Sequence, residues 1–128
     1  MIVDSSALVS ILLKEPGYDV LVGKLKEADV LFVAAPTAVE SAIVLSSRLH
    51  CDARPLLAGL LNRMNAEIVS FDQEHYDAAV SAYLRFGKGR HATGLNFGDC
   101  VSYALAVVSG LPLLYTGTDF SHTDIQSA

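Results

Sequence analysis

The feature that most constrains the fold is a regular alternation between short apolar runs and longer segments with helical periodicity. Strands that alternate with helices in this way are typical of an α/β domain with a mostly parallel sheet. Apolar runs predict buried strands at residues 1–3 and 30–34, and two further strands are predicted at residues 67–71 and 113–115. The segments between them predict six helices, at residues 5–13, 19–28, 36–49, 55–64, 72–86 and 97–109. We therefore expect one α/β domain over residues 1–128, with a central sheet of four or five strands flanked by helices.

Local signals predict where several helices start. Ser5 and Ser6 are suited to cap the first helix. Thr37 and Glu40 form a T-x-x-E pattern, which predicts a capping box. Pro55 suits a first helical turn. Asp72 and Asn96 are predicted to cap the fifth and sixth helices, and Gly110 is predicted to end the sixth. On the second helix, Val20, Leu21 and Leu25 lie on one apolar side.

Bulk properties narrow the class of protein. Hydrophobic residues make up 52% of the chain and the mean hydropathy is +0.39, which excludes intrinsic disorder. No uncharged apolar run reaches about 18 residues, so no membrane span is expected, and the N-terminus lacks the basic start of a secretory signal. Cys51 and Cys100 have no metal-ligand spacing, so we interpret both as free thiols in a reducing cytoplasm, with Cys100 in the core. The net charge of −5 means that any nucleic-acid contact depends on a local basic patch or on bound cations.

Four acidic residues lie at the ends of apolar elements. Asp4 directly follows the first strand, Asp119 follows the last strand by a few residues, and Glu40 and Asp99 lie near helix starts. Each has a structural interpretation by itself: Glu40 in a capping box, and Asp99 in the first turn behind Asn96, where the helix dipole favours a carboxylate. Because functional sites of parallel sheets lie beyond the carboxyl ends of the strands, the shared placement predicts one acidic site.

Crowded carboxylates repel one another unless a cation compensates them. Hard oxygen ligands suit Mg²⁺, with Mn²⁺ as the alternative. A cation held in this way favours hydrolysis of a phosphodiester, because it polarises phosphoryl oxygens and activates water. The sequence has no zinc-type Cys or His pairs and none of the usual phosphate-binding or nucleophile-elbow motifs.

A basic segment precedes Asp99. Arg85, Lys88, Arg90 and His91 fall within seven residues of a chain that has nine Lys and Arg in total. One interpretation is a solvated connector. The functional alternative is that Arg85, Lys88 and Arg90 contact the phosphates of a substrate. Tyr83 and Phe97 are candidates for stacking on a base, but we predict that both pack in the core.

The motifs together resemble the PIN-domain family. The similarity is carried by residues 1–7, by Glu40, by residues 88–91 with the Gly94-Leu95-Asn96-Phe97-Gly98-Asp99-Cys100 stretch, and by residues 117–120. Within that family the chain is similar to VapC toxins of type II toxin–antitoxin systems. The resemblance implies a PIN-like three-layer fold and a Mg²⁺-dependent endoribonuclease that cleaves RNA.

The resemblance also implies residue roles and partners. The acidic residues of the family correspond to Asp4, Glu40, Asp99 and Asp119, with Asp4 and Asp99 as direct metal ligands. Many relatives carry Asp or Asn where this chain has Thr118, so the role of Asp119 and the number of metal ions stay open. The implied partners are a second copy in a homodimer and a cognate VapB-type antitoxin that docks near the acidic site, in a heterotetramer or larger complex. From their places on the third and fourth helices, Ile43 and Leu57 are candidates for the dimer interface, but both could equally lie in the core.

Three other classes remain open from the residues alone. A receiver or phosphatase-like domain would need a lysine where Tyr115 and Thr116 stand. A non-catalytic module would use its acids only as caps. A PIN-type nuclease acting on DNA is compatible with the same acids, because metal-assisted hydrolysis does not require the 2′-hydroxyl.

Overall fold

The computed structural model describes residues 1–128 and contains a parallel sheet with helices on both faces. The sheet has four strands in the order β3-β2-β1-β4, and all neighbouring strands are parallel. In chain order the elements are β1 (Ile2–Val3), α1 (Ser5–Leu12), α2 (Tyr18–Glu27), β2 (Phe32–Ala34), α3 (Ala35–Leu49), α4 (Arg54–Arg63), β3 (Glu67–Val69), α5 (Gln73–Phe86), α6 (Phe97–Ser109) and β4 (Leu113–Leu114). The predicted α/β fold class with a parallel sheet is confirmed.

Alternation along the strands produces the three layers. Successive strand residues point to opposite faces, so Ile2 packs with α5 and α6 whereas Val3 packs with α1 to α4. Leu113 and Leu114 divide between the same two cores. Because both faces are covered there, β1, β2 and β4 are apolar throughout rather than alternating. The edge strand β3 differs, because it begins with the exposed Glu67 and leaves Ile68 50% exposed.

Helix α6 is the most enclosed helix of the fold. All residues from Asp99 to Ala106 are buried, because α6 packs against α5, α3 and three strands of the sheet. Its periodicity indicated one buried face, and the structure shows burial nearly all round. Val107 is exposed near its end, and the helix stops at Gly110, which has the positive φ of 65° that favours glycine.

Some predicted helix starts are wrong. The N-cap of α1 is Asp4 rather than Ser5 or Ser6, because Asp4 accepts a hydrogen bond from the backbone N–H of Ser6. Helix α3 begins at Ala35, so Thr37 and Glu40 do not form the predicted capping box. The extended strand runs directly into this helix, and Thr37 becomes a buried interior residue. On α2, Leu21 is buried, but Val20 is 59% exposed.

Other local predictions are confirmed. Asp72 and Asn96 are N-caps, each in a reciprocal capping arrangement with the residue three positions later. Pro55 lies in the first turn of α4. Cys51 is exposed and Cys100 is buried, and both are free.

No helix in the structure combines the length and the apolar character needed to cross a membrane.

The residues after β4 are irregular and return to the sheet. Ser127 forms a parallel bridge with Leu113 at the outer edge of β4. Asp124 fastens this segment to the helical layer, because it accepts hydrogen bonds from the Tyr103 hydroxyl at 2.5 Å and from Arg85 at 2.9 Å. Burial and the bond to Asp124 raise the pKa of Tyr103 to about 12.

Candidate active site

Asp4 lies at the carboxyl end of the central strand β1 and is 2% exposed. Its Oδ2 accepts hydrogen bonds from the backbone N–H of Ser6 at 2.9 Å and from the Ser6 hydroxyl at 2.6 Å. Its Oδ1 accepts a hydrogen bond from the Ser102 hydroxyl at 2.5 Å. The backbone N–H of Thr116, just after β4, donates to Ser6 Oγ at 3.1 Å. A buried charge needs such partners, and here they hold the carboxylate in one orientation.

Asp99 lies in the first turn of α6 and is 8% exposed. Its Oδ2 accepts a hydrogen bond from the backbone N–H of Asn96 at 3.0 Å, while Asn96 caps the Asp99 N–H at 2.9 Å. Burial raises the pKa of Asp99 to about 6, against the opposing effect of the Asn96 bond. The charges of Asp4, Asp119 and Glu40 raise this pKa further. Asp99 therefore has a capping role and also lies within electrostatic range of the other three acids.

Glu40 lies in the second turn of α3 and is partly buried. Its carboxylate rests on Gly98, where a β-carbon would lie only 2.8 Å from Oε1 and closer still to Oε2. Glycine is otherwise unfavourable inside a helix, so this contact explains why position 98 has no side chain. Glu40, Ser6 and Thr116 also line a common cleft of about 250 Å³.

Asp119 lies in the exposed turn after β4, next to the exposed Thr118. Its charge contributes to the raised pKa of Asp99. Asp119 is thus the solvent-side member of the four, whereas Asp4 and Asp99 lie in the buried floor.

The four acids approach one another without forming a compact cluster. No three Asp, Glu, His or Cys side chains are close enough to form a preassembled coordination shell. None of the four ion pairs in the structure involves Asp4, Glu40, Asp99 or Asp119. The other three acids raise the pKa of Asp99, and none of the four has a basic partner. Asp4 and Asp99 would therefore fit a hydrated divalent cation, because such an ion supplies positive charge and prefers carboxylate oxygens.

Of the basic segment, Lys88, Arg90 and His91 lie in a loop between α5 and α6, whereas Arg85 lies in the last turn of α5. The loop is closed by a bridge between Gly87 and Leu95, and Lys88 and Arg90 are exposed. Arg90 lies over the Tyr83 ring at 6.0 Å, and His91 bonds to Thr93. Arg85 differs from these residues because it pairs with Asp124 at 2.9 Å and covers the Phe86 ring at 4.6 Å.

The prediction that Phe97 and Tyr83 pack in the core is wrong. Phe97 is 82% exposed, and Tyr83 is also exposed. Phe97 starts α6 two residues before Asp99, so its side chain leaves the helix before the buried part begins. Together with Phe71, it lines two apolar depressions of about 740 and 630 Å³, one against α3 and one against α5.

Sequence reasoning missed the hydroxyl groups behind Asp4. Ser102 and Thr37 are fully or almost fully buried, and their hydroxyl oxygens lie 3.4 Å apart. The available signal was spacing: Ser102 is three residues after Asp99, and Thr37 is three residues before Glu40, so each shares a helix face with an acid.

The sequence and the fold of this chain are both similar to those of known proteins. Residues 1–126 match the family model described as PIN domain, and the chain belongs to that family. The fold agrees, because the structure of the sarcin-ricin loop cleaving toxin VapC20 from Mycobacterium tuberculosis superposes with a TM-score of 0.77 at 15% identity, covering 99% of this chain and 97% of that one. A toxin–antitoxin complex from Klebsiella pneumoniae superposes with a TM-score of 0.71 at 18% identity, covering 96% and 92%.

Within the PIN family, the curated relatives are VapC ribonucleases. A ribonuclease VapC from Mycolicibacterium smegmatis is 45% identical over 125 residues, which cover 98% of this chain and 97% of the relative. Ribonuclease VapC30 from Mycobacterium tuberculosis is 39% identical over 125 residues, which cover 98% and 95%. The resemblance to VapC toxins inferred from the motifs is confirmed.

Proposed function

We propose that this protein is the toxic component of a type II toxin–antitoxin system and a divalent-metal-dependent endoribonuclease. The observation that carries the proposal is Asp99, a buried carboxylate whose pKa is raised by burial and by Asp4, Asp119 and Glu40. Asp4 and Asp99 also cap helices, but capping does not account for Glu40 and Asp119, which lie near enough to raise the pKa of Asp99. Binding a cation removes the conflict and gives the arrangement a chemical use.

The four acids would have different roles because they lie at different depths in the site. Asp4 and Asp99, in the buried floor, would hold Mg²⁺ or Mn²⁺, while Glu40 and Asp119 complete the negative site from α3 and from the exposed turn. A bound divalent cation would supply stabilisation of phosphoryl charge and a lowered pKa for an attacking water. Ser6 and Ser102 keep the Asp4 carboxylate oriented, and Gly98 leaves room for that of Glu40.

The exposed cations of the loop would contact the phosphates of the RNA. Lys88 and Arg90 extend from the segment that leads into Asp99, so a polyanion held there passes the acidic floor. Arg85 belongs to the proposed substrate-binding set as well, although its pairing with Asp124 leaves it less free than the other two.

The apolar face beside the site fits a second copy of the chain. Ile43 on α3 is 63% exposed, and it lines the same depression as Val39, Phe71 and Phe97. Of the two candidates, Leu57 is buried in the core between α4 and its neighbours, so it is a core residue and not an interface residue. We propose a homodimer through the α3 side, and a cognate VapB-type antitoxin that inhibits the cytoplasmic toxin in a heterotetramer or larger complex.

The decisive experiment measures cleavage by purified protein with a defined metal content. After chelation, cleavage of a structured RNA should be absent, and addition of Mg²⁺ or Mn²⁺ should restore it in the wild type but not in Asp99→Asn. A single-stranded DNA of the same sequence tests the alternative substrate. Metal-independent cleavage, or cleavage of the DNA alone, would overturn the proposal.

A further inference from the structure

Ser102 contacts Asp4 in a way that defines the direction of a hydrogen-bond chain. The Ser102 hydroxyl lies 2.5 Å from Asp4 Oδ1, and both groups are buried. An ionised carboxylate can only accept hydrogen bonds, so the single hydroxyl proton of Ser102 points to Asp4. The Ser102 oxygen can then only accept from Thr37 Oγ1, which lies 3.4 Å away. The chain therefore runs from Thr37 to Ser102 to Asp4.

This chain joins the three elements that carry the buried and half-buried acids. Thr37 lies on α3, three residues before Glu40. Ser102 lies on α6, three residues after Asp99. Asp4 ends the central strand β1. Because Ser102 is fully buried in a helix that is enclosed on nearly all sides, its hydroxyl has little freedom to turn away.

The chain also limits how Asp4 can use its oxygens. A carboxylate has about four acceptor positions. Ser6 takes two of them on Oδ2, and Ser102 takes one on Oδ1. A further partner of Asp4 is thereby directed to Oδ1.

We infer that Ser102 is a positioning residue, which holds Asp4 Oδ1 toward the cation of the acidic site and depends weakly on Thr37 for its own orientation. The inference rests on the proposed function, because it assumes that Asp4 is a metal ligand. Groups that orient metal ligands typically change metal affinity or activity by about 10-fold to 100-fold when removed. The contact of 3.4 Å is long for a bond between two hydroxyl groups, so Thr37 contributes less than Ser102.

Ser41 provides a matched control. It is fully buried like Ser102, it also lies in a helix, and its hydroxyl donates to the backbone carbonyl of Thr37 at 2.8 Å. Ser102→Ala and Ser41→Ala each remove one buried hydroxyl from a helix, but only the former removes a bond to an acid. A purely structural role predicts similar behaviour of the two variants.

The test titrates the metal-stripped full chain with Mn²⁺ in a calorimeter. Ser102→Ala should weaken Mn²⁺ binding by about 10-fold or more, whereas Ser41→Ala should match the wild type. In RNA cleavage, Ser102→Ala should lower kcat with little change in KM. Thr37→Val should weaken Mn²⁺ binding in the same direction but less, and Thr37→Ser, which keeps the hydroxyl, should restore it.

The outcomes separate this inference from the proposed function. If the wild type binds Mn²⁺ and cleaves RNA while Ser102→Ala has the affinity of Ser41→Ala, the positioning role is overturned and the proposed function stands. If the wild type itself neither binds Mn²⁺ nor cleaves RNA, both are overturned. Thermal unfolding in chelator checks that each variant is folded. If Ser102→Ala is less stable than Ser41→Ala, the positioning role is decided by the Mn²⁺ affinities of Thr37→Val and Thr37→Ser, and equal affinities of these two would overturn it.

Discussion

The carboxylate of Glu40 lies directly on the α-carbon of Gly98, one residue before Asp99. A β-carbon at position 98 would lie 2.8 Å from Glu40 Oε1 and closer to Oε2. The obstructing atoms are the end of a flexible side chain, so an added methyl group would move Glu40 rather than break the fold. The relationship allows the role of Glu40 to be tested without changing its charge.

Gly98→Ala should therefore reduce RNA cleavage by at least 10-fold while the protein remains folded. Gly98 is the second residue of α6, where alanine is at least as compatible with a helix as glycine, so the unfolding temperature should stay close to that of the wild type. Gly23→Ala is the control, because Gly23 lies in α2 and a β-carbon there meets no atom within 4 Å. Equal cleavage by the two variants would show that the position of Glu40 does not matter.

Asp99→Asn should abolish RNA cleavage and weaken Mg²⁺ binding while the fold is kept. Asparagine preserves size and can still accept the bond from the Asn96 N–H, but it removes a charge from the acidic site. Growth arrest on expression should disappear as well. Calorimetric Mg²⁺ titration and cleavage kinetics provide the measurements, and full activity in a folded variant would exclude Asp99 from the catalytic set.

In the metal-free protein, the free energy of unfolding should fall as the pH rises from about 4 to about 7. The pKa of Asp99 is about 6 in the folded state against an ordinary value of 3.8, so between these values the folded state binds more protons than the unfolded state. Stability then decreases with pH, by about 3 kcal/mol for a shift of this size. Urea unfolding in chelator should show this loss in the wild type relative to Asp99→Asn, and parallel pH profiles would contradict the expectation.

Replacing Lys88 and Arg90 together by Ala should weaken RNA binding and reduce its salt dependence. Each lost phosphate contact lowers the log–log slope by about 0.7 for a single strand, so the pair should lower it by about 1.4. Mn²⁺ affinity should be unchanged. The control replaces Lys26 and Arg63, which border a groove between α2 and α4, and an unchanged slope in the loop variant would mean that the loop is only a connector.

Arg85→Ala should loosen the irregular segment after β4, because Arg85 holds Asp124 of that segment. Its pair with Asp124 is solvent-exposed, and exposed ion pairs contribute little to stability. The variant should become more susceptible to proteolysis after residue 118, and Lys88→Ala should not. Limited proteolysis followed by mass spectrometry distinguishes the two. If Arg85→Ala reduces the salt slope as much as Lys88→Ala without loosening that segment, Arg85 is a substrate contact in spite of its pairing.

Ile43→Glu should convert a homodimer into a monomer. A charge on the apolar α3 face would have to be desolvated in the interface. Val20→Glu is the matched control, because Val20 is similarly exposed on α2, at 59% against 63%. Light scattering of both variants at high concentration provides the measurement. A monomeric wild type, or a dimer that survives Ile43→Glu, would remove this face as the interface.

Local chemistry made much of the fold predictable. Apolar runs marked β1, β2 and β4 because strands covered on both faces are buried and carry apolar side chains. Asp72 and Asn96 were recognisable as caps because each satisfies free N–H groups within its own turn. The failures were also local: Thr37 has the spacing of a cap, but strand β2 runs into α3 two residues earlier, and tertiary packing then buries it.

The sequence by itself determined the α/β class, the alternation of elements and the identity of the four acids at their ends, because these follow from side-chain periodicity and from the chemistry of single residues. Only the tertiary structure decided which groups face one another. It brings the Ser102 hydroxyl to Asp4, 98 positions away in the chain, and the Glu40 carboxylate to Gly98. It also pairs Arg85 with Asp124. It leaves Phe97 exposed and buries Leu57. Such contacts depend on how helices pack across the sheet, and that geometry is defined by the whole core rather than by any local pattern.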